Sequence, residues 1–142
     1  YITDCHPANH SSFVEFGGIW PPHCVEGTRG GAIHESFYTK VENPANRPDP
    51  NRNIFRKGCK QDEEQYSGYE AVNSNGVALK DYANKDVVVS GIATEYCVYN
   101  TVNEFLKSGR NVELLHDALG YVDYEGHKKT IKDLRKMVTV VE

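Results

Sequence analysis

Long apolar runs are absent from this sequence. The longest strand-like apolar stretch is Val87–Val89, far short of the roughly 20 residues that a membrane-spanning helix needs. A surplus of positive charge is absent too, because 16 basic residues stand against 20 acidic ones and the formal net charge is −4. These two absences argue against a membrane span, and against nucleic acid or an anionic membrane as the main partner.

Cysteine is scarce, with four residues at irregular spacing: Cys5, Cys24, Cys59 and Cys97. Small secreted domains that depend on disulfides carry a denser set of cysteines. The sequence also has no basic and apolar leader of the kind that predicts secretion. We therefore expect reduced thiols and a cytoplasmic location, with one thiol available for chemistry.

The second half of the chain has the clearer pattern. With 142 residues, 39% hydrophobic and 25% charged, the composition is that of one globular domain. A strand, helix, strand, helix, strand order predicts an α/β fold with a mostly parallel sheet, and the β-branched run in the first of these strands is typical of a buried one. The predicted elements are strand Asp86–Ile92, helix Thr94–Ser108, strand Asn111–His116, helix Tyr124–Met137 and strand Val138–Val141.

The helix predicted after the first of these strands has recognisable end signals. Thr94 is a candidate N-cap, and Gly109 is a candidate C′ glycine. The first half of the chain has little periodicity, and only a strand at Asn53–Lys57 and a short helix at Val77–Ala83 are predicted there. A long irregular segment in a compact domain is either functional or disordered. The His and Trp content of the segment from Asp4 to Gly31 favours function.

A cluster of potential metal ligands lies in that segment. Asp4, His6 and His10 fall within seven residues, and His23 follows the stiff pair Pro21-Pro22. Residues i and i+2 of extended chain point to the same side, so Asp4 and His6 can face one ion. Three imidazoles and a carboxylate favour Zn, Fe, Mn or Co over Mg or Ca. The alternative is that these histidines are polar loop residues. His34, His116 and His127 have no comparable neighbours in the sequence, and we interpret them as ordinary residues.

Cys97 is the candidate nucleophile. It follows a predicted strand and falls in the first turn of a helix, at the sheet edge where α/β proteins bind ligands. Free N–H groups and the helix dipole favour a thiolate and an oxyanion there. The alternative is a small core residue on the apolar helix stripe. Lys57 ends a predicted strand, where it is either a solvated lysine or a cation that lowers the pKa of a thiol.

Four segments occur in an order that resembles a known family. They are TDCHPANHSSF, WPPHCVEGTRGG, FRKG with YSGYEA, and VVSGIATEYCVYNTVNEFLKSG. Together they closely resemble the nicotinamidases (pyrazinamidases) of the isochorismatase-like cysteine hydrolases, over nearly the whole chain. The resemblance implies a Rossmann-like three-layer α/β sandwich with a catalytic Cys, Lys and Asp.

The resemblance also implies a role for individual residues. Cys97 is similar to the nucleophile and Lys57 to the catalytic lysine. The Ile92-Ala93 bond resembles a non-proline cis peptide that brings the Ala93 N–H beside that of Cys97 in an oxyanion hole. Trp20 and Tyr66 resemble the aromatic walls of a pyridine pocket. The implied metal ligands are Asp4, His6, His10 and His23.

The implied reaction is the hydrolysis of nicotinamide to nicotinate and ammonia through a cysteine thioester, in NAD salvage. The implied cofactor is one divalent transition metal ion, zinc first and iron or manganese as alternatives, which binds the pyridine nitrogen. The implied partner is a pyridine carboxamide, with no nucleic acid and no membrane, and a homo-oligomer remains open.

Three departures from the family pattern stand out. Cys5 replaces an aromatic residue, and Glu95 replaces the usual Asp of the motif before the nucleophile. The family's general-base Asp lies on a first strand, which the chain does not contain. We therefore expect residues 1–142 to form a single isochorismatase-like hydrolase domain that is N-terminally incomplete, apparently lacking its first strand, with the general-base Asp upstream of Tyr1.

Two other functions remain open from the sequence. One is a different small-amide hydrolase of the same superfamily, against which the His-rich segment counts because such relatives generally lack it. The other is a non-catalytic metal-binding module, which the missing general base would allow. Metal binding without thiol reactivity would favour that module.

Overall fold

All the paired strands run parallel in the computed structural model, which describes residues 1–142. They form two separate sheets, one of two strands and one of three. The chain divides into unit 1, residues 1–65 and 70–79, and unit 2, residues 66–69 and 80–142. None of its helices combines the length and the apolar character that a membrane span requires. The predicted α/β fold with parallel strands is confirmed.

Two short strands organise unit 1. Strand β1, Ile2–Asp4, pairs with β2, Phe55–Lys57, in a register that sets Asp4 opposite Lys57. In β2, the Phe55 and Lys57 side chains are both buried, as expected for residues two apart that share one face of a strand. The predicted strand Asn53–Lys57 therefore starts two residues later than expected but ends as predicted.

The rest of unit 1 is mostly turns. The short helix that the sequence places at Val77–Ala83 is confined to Leu79–Tyr82, because the preceding chain turns back in bridges to its neighbours. The remaining elements are one-turn helices: the 3₁₀ turns Val14–Phe16, Arg29–Gly31 and Pro44–Asn46, helix α1 at Ser36–Thr39 and helix α2 at Leu79–Tyr82, of which only Leu79 belongs to unit 1.

Unit 2 has the predicted alternation of strands and helices. Its sheet has the order β3-β4-β5, with helices α3 and α4 in the two crossover connections. Val102, Phe105, Leu114 and Leu134 are almost fully buried and form its core. The elements are β3 Asp86–Gly91, α3 Tyr99–Lys107, β4 Asn111–Leu119, α4 Tyr124–Leu134 and β5 Thr139–Val141.

Three features of unit 2 differ from the sequence prediction. Strand β3 is not buried on both faces, since Val88 is 63% exposed; β3 is an edge strand of its sheet and is paired with β4 alone. Strand β4 extends three residues beyond His116, where its end pairs with Gly91 across a register shift. Helix α4 ends at Leu134, three residues before Met137.

The start of the α3 segment also differs from the prediction. A single turn of π-helix, Thr94–Val98, precedes α3, and the N-cap position belongs to the extended residue Ala93. Thr94 is therefore not the N-cap; its hydroxyl donates instead to the carbonyl of Gly120 at 2.8 Å. At the other end, Gly109 has φ +80° and its N–H donates to Leu106, which confirms the predicted C′ glycine.

Candidate functional site

The Phe13 ring contacts the rings of three histidines of unit 1. Its side chain is fully buried, and its ring centroid lies 5.6 Å from that of His6, 5.7 Å from His10 and 5.5 Å from His23. The His6 ring is also 4.2 Å from the His10 ring and 4.9 Å from the His23 ring. The sequence cluster is thus a cluster in space, held together on an apolar support.

Backbone pairing places His23 beside His6. The His6 N–H donates to the carbonyl of Cys24, and the His6 carbonyl accepts from the N–H of Glu26, so the two segments form a short parallel bridge. This bridge continues the direction of β1 past its end at Asp4. Residues separated by 17 positions therefore meet without belonging to a regular strand.

The ring nitrogens of His6 and His23 are oriented in the same way. Nδ1 of His6 lies 2.8 Å from the Gly58 carbonyl, and Nδ1 of His23 lies 2.9 Å from the Pro21 carbonyl. A carbonyl oxygen only accepts, so Nδ1 carries the proton in both rings. A neutral ring with this tautomer has its lone pair on Nε2, the arrangement in which a second hydrogen bond orients a metal-ligating imidazole.

His10 has the opposite tautomer. Its Nε2 lies 3.1 Å from the Glu63 carbonyl and therefore carries the proton, while Nδ1 accepts from the N–H and the hydroxyl of Ser12. Both ring nitrogens are thus occupied by hydrogen bonds. His10 stacks against His6, but to act as a ligand it would first have to release Glu63 or Ser12.

Gly58 is required where the chain leaves β2. It has φ +60°, and a Cβ atom there would lie 2.5 Å from Cε1 of His6. Any other residue would therefore displace the His6 ring as well as strain the backbone. Gln65 supports the same turn, because its side-chain oxygen accepts from the Gly58 N–H and its carbonyl accepts from Lys57 Nζ.

Asp4, His6 and His23 satisfy the basic requirement for a metal site. Each offers one ligand atom, and these atoms all lie within 4.8 Å of one another. Burial lowers the pKa of His6, with Gly58 and Asp4 opposing the shift, and this favours the neutral, ligating form of the imidazole. A carboxylate and two imidazoles with free Nε2 positions fit a divalent transition metal ion.

Lys57 lies against the same carboxylate. Its Nζ is 2.5 Å from Oδ1 of Asp4, and the same oxygen is 3.9 Å from Nε2 of His6. The predicted catalytic lysine and the predicted metal ligand are therefore direct partners, although they are 53 residues apart in the sequence. Burial raises the pKa of the neighbouring Cys5 thiol to about 12, with a further contribution from Cys59, and this favours the protonated thiol.

The Cys97 turn belongs to unit 2. Cys97 is the fourth residue of the π-turn and is half-buried. The Ile92-Ala93 bond that precedes the turn is cis, as the resemblance implies. The carbonyl of Ala93 accepts the N–H groups of Tyr96 and Val98, whereas the N–H of Ala93 donates to no atom of the chain. A backbone donor of the predicted oxyanion pair is therefore available.

The two predicted aromatic walls fall in different units. Trp20 is half-buried in unit 1, with its ring 6.1 Å from that of His23. Tyr66 lies in unit 2, with its ring 5.6 Å from that of Tyr96, the residue before Cys97. Each aromatic residue is thus placed beside one part of the predicted machinery.

Several supporting residues escaped the sequence analysis. Phe13, Gln65 and Ser12 orient the histidines and Lys57 in unit 1. In unit 2, the turn that carries Cys97 is bonded to a loop 26 and 27 residues further along, through Thr94 and Glu95. His127, which the sequence predicts to be an ordinary residue, lies 3.0 Å from the Thr94 hydroxyl through its Nδ1. Apart from Ser12, which lies two residues after His10, these contacts join residues whose spacing gives no local signal.

A comparison with protein families gives one decisive match. The isochorismatase domain matches residues 64–142, more than half of the chain. The chain belongs to the isochorismatase domain family. This family membership agrees with the fold of the chain and with the segments that resemble isochorismatase-like hydrolases.

Individual relatives extend the comparison to the first half of this chain, which the family match does not cover. This chain is 30% identical to the nicotinamidase/pyrazinamidase of Mycobacterium tuberculosis over 134 residues, which is 91% of this chain and 66% of that protein. A pyrazinamidase structure from Pyrococcus horikoshii in complex with zinc is 34% identical, with a TM-score of 0.79 over 99% of this chain and 73% of the other. A PnC1 structure from L. infantum in complex with nicotinate is 32% identical, with a TM-score of 0.78, over 99% and 69%.

The chain thus spans just under two thirds of the length of the M. tuberculosis relative. The structural similarity covers both units, and it identifies the fold as isochorismatase-like. Zinc and nicotinate are found in those two relatives.

Proposed function

We propose that this protein is a nicotinamidase, which hydrolyses nicotinamide or a similar pyridine carboxamide to the carboxylate and ammonia. The observation that carries the proposal is the group formed by Asp4, His6 and His23 beside Lys57. Other small-amide hydrolases of the superfamily generally lack this His-rich segment. Similarity to nicotinamidases at about 30% identity supports the same substrate class.

The proposed reaction uses the Cys97 thiolate. It attacks the amide carbonyl, and the negative charge that develops on oxygen is stabilised by the N–H groups of Ala93 and Cys97. Collapse of this intermediate breaks the C–N bond, and the leaving nitrogen takes a proton from the expected general acid, so that ammonia is released and a thioester remains. Water then hydrolyses the thioester to give the carboxylate and the free thiol. Lys57 is proposed as the catalytic lysine on the basis of its motif, and the general-base Asp expected upstream of Tyr1 stays a prediction.

Asp4, His6 and His23 would hold the proposed metal ion, and His10 would join them only after exchanging a hydrogen bond. When bound, such an ion supplies a Lewis-acidic position that accepts a ring nitrogen. Zinc is the preferred ion, and iron and manganese are alternatives. Trp20 and Tyr66 are proposed to contact the aromatic ring of the substrate.

Ammonia release from the complete gene product tests the function. Nicotinamide and pyrazinamide should be hydrolysed, while benzamide, which lacks a ring nitrogen, should be a much poorer substrate. A protein that hydrolyses benzamide as fast as nicotinamide would be a different amidase. A protein that binds zinc stoichiometrically but releases no ammonia from any of the three would be the non-catalytic module.

A further inference from the structure

Glu95 bonds the turn that carries Cys97 to the start of helix α4. One carboxylate oxygen, Oε1, accepts the backbone N–H groups of Val122 and Asp123, both at 2.7 Å. These residues lie in the connection between β4 and α4, and Asp123 is the N-cap of α4. A single side chain therefore joins the π-turn to the first turn of a helix that is distant in sequence.

The connection that Glu95 holds is mostly exposed. The side chains of Val122 and Asp123 lie at the surface, while the Tyr121 ring contacts those of Tyr124 and His127 on α4, at 5.6 and 4.9 Å. Asp123 instead caps α4 by accepting the N–H of Gly126 at 2.6 Å. Because Asp123 caps α4 and a carboxylate is favoured at a helix N-terminus, the start of α4 is a suitable attachment point for Glu95.

A second set of bonds secures the same turn from the strand side. The N–H and the hydroxyl of Thr94 both donate to the Gly120 carbonyl, at 2.9 and 2.8 Å, and the N–H of Gly120 donates to Gly91. Two neighbouring residues of the turn are thus bonded to the connection between β4 and α4, Thr94 to its start at Gly120 and Glu95 to its end at Val122 and Asp123. The other carboxylate oxygen of Glu95, Oε2, is buried without a hydrogen-bond partner, an arrangement that costs stability.

The geometry of the turn separates Glu95 from the thiol. Glu95 faces α4, where it accepts the amides of Val122 and Asp123. Side chains two residues apart in a helical turn point about 160–200° away from each other. The Cys97 side chain is therefore expected on the side of the turn opposite to Glu95. Glu95 therefore has no role that requires contact with the reacting atoms. What its attachment determines is the orientation of the turn, and with it the direction of the Cys97 thiol and of the neighbouring N–H groups.

We propose that Glu95 is a positioning residue for Cys97, acting through its hydrogen bonds to the amides of Val122 and Asp123. This inference rests on the proposed function, in which Cys97 is the nucleophile. Small errors in the orientation of a reacting group cost rate rather than binding, because the barrier depends steeply on geometry. Loss of Glu95 should therefore lower kcat and the reactivity of Cys97, while KM stays close to its wild-type value.

Three variants of the complete protein test this role. Glu95→Met keeps the side-chain length and removes the acceptors, Glu95→Gln keeps an acceptor and removes the charge, and Glu125→Gln is the matched control at the same end of α4. Cys97 alkylation by iodoacetamide is followed by mass spectrometry of its peptide, together with kcat, KM and hydrogen exchange of the Val122 and Asp123 amides. The rates are expressed per folded molecule.

Glu95→Met should lower kcat and the alkylation rate about tenfold to a hundredfold and should expose both amides to exchange. Glu95→Gln should lose about twofold to fivefold, because neutral hydrogen bonds are weaker than charge-assisted ones; Glu125→Gln should match the wild type. A Met variant with wild-type rates per folded molecule would overturn the proposal, as would amides that exchange freely in the wild type. If the Met variant does not fold, wild-type rates in Glu95→Gln decide against it.

The alkylation measurement separates this proposal from the proposed function. Iodoacetamide needs no substrate, so a wild-type protein that releases no ammonia would count against the nicotinamidase assignment alone. The order of alkylation rates among the wild type, Gln and Met variants would still support or contradict the positioning role.

Discussion

Lys57 and Asp4 form a largely buried ion pair, with Nζ 2.5 Å from Oδ1 and side chains 4% and 17% exposed. The same Asp4 oxygen lies 3.9 Å from Nε2 of His6. The carboxylate is therefore shared between a cation that belongs to the protein and the position proposed for a metal ion. This sharing links the stability of the metal-free protein to metal binding.

Replacing Lys57 by Met should destabilise the metal-free protein and strengthen its response to zinc. Breaking a buried pair by removing one partner costs about 3–5 kcal/mol, because the remaining charge is left uncompensated. A bound cation would compensate Asp4 instead, so zinc should raise the urea midpoint of the variant more than that of the wild type.

Urea unfolding with and without zinc measures this difference. Lys60→Met is the control, because Lys60 is exposed and pairs with Glu63 alone, and we expect no measurable change in its unfolding. Equal zinc stabilisation in Lys57→Met and in the wild type would show that Asp4 is not shared with the ion.

The metal ligands can be tested one histidine at a time. Purified protein should contain about one transition metal ion per chain, and His6→Ala and His23→Ala should lose most of it. His34→Ala is the control, because His34 lies on an exposed part of the same unit. Stoichiometric metal in a variant that lacks His6, His10 and His23 together would contradict the assignment.

The tautomers of the three histidines are a sharper test of the same geometry. In metal-free protein, long-range nitrogen–proton NMR spectra should show the proton of His6 and His23 on Nδ1 and that of His10 on Nε2. If His10 is a ligand, zinc should change the signal of His10 and weaken its bond to Glu63. An unchanged His10 signal in zinc-saturated protein would exclude it from the ligand set.

Much of the site could be predicted because its parts are local. The i, i+2 spacing of Asp4 and His6, the strand end at Lys57 and the strand-to-helix turn before Cys97 all depend on short segments whose geometry follows from residue type. The α/β order of unit 2 was predictable for the same reason. Boundaries were less accurate, as at the end of α4, because backbone pairing with distant residues decides them.

The relationships between distant residues could not be predicted. The tautomer of His10 depends on the carbonyl of Glu63, and the position of the Cys97 turn depends on bonds from Glu95 and Thr94 to the β4–α4 connection. Val88 illustrates the same limit, because its β-branched neighbours suggest burial while its exposure depends on which strands lie beside β3. Spacing along the chain contains no information on such pairs.

Acidification should destabilise the metal-free protein through His6. Burial lowers the pKa of His6 below its ordinary value of 6.5, so the unfolded chain binds a proton at a higher pH than the folded protein does. The contribution of His6 to stability is therefore complete above pH 6.5 and is lost as the pH falls from there through the folded-state pKa.

Urea midpoints measured across this pH range test the assignment. The wild type should lose stability on acidification, and His6→Asn should lose less, because Asn does not titrate and can still donate to the Gly58 carbonyl. His34→Asn removes a solvent-exposed histidine and should keep the wild-type pH dependence. The same loss of stability in His6→Asn and in the wild type would show that another group is responsible.

Cys97 should be the thiol that reacts first and the one that activity requires. It lies in the first turn of a helical segment, where N–H groups and the helix dipole favour the thiolate, whereas burial raises the pKa of Cys5 to about 12 and keeps that thiol protonated. Iodoacetamide near neutral pH should therefore modify Cys97 well before Cys5.

Cys97→Ala should abolish ammonia release and leave the urea midpoint close to that of the wild type, while Cys59→Ala, which removes an exposed thiol, should keep full turnover. Wild-type turnover in Cys97→Ala would refute the thioester route, because no other thiol of the chain lies at a strand-to-helix turn.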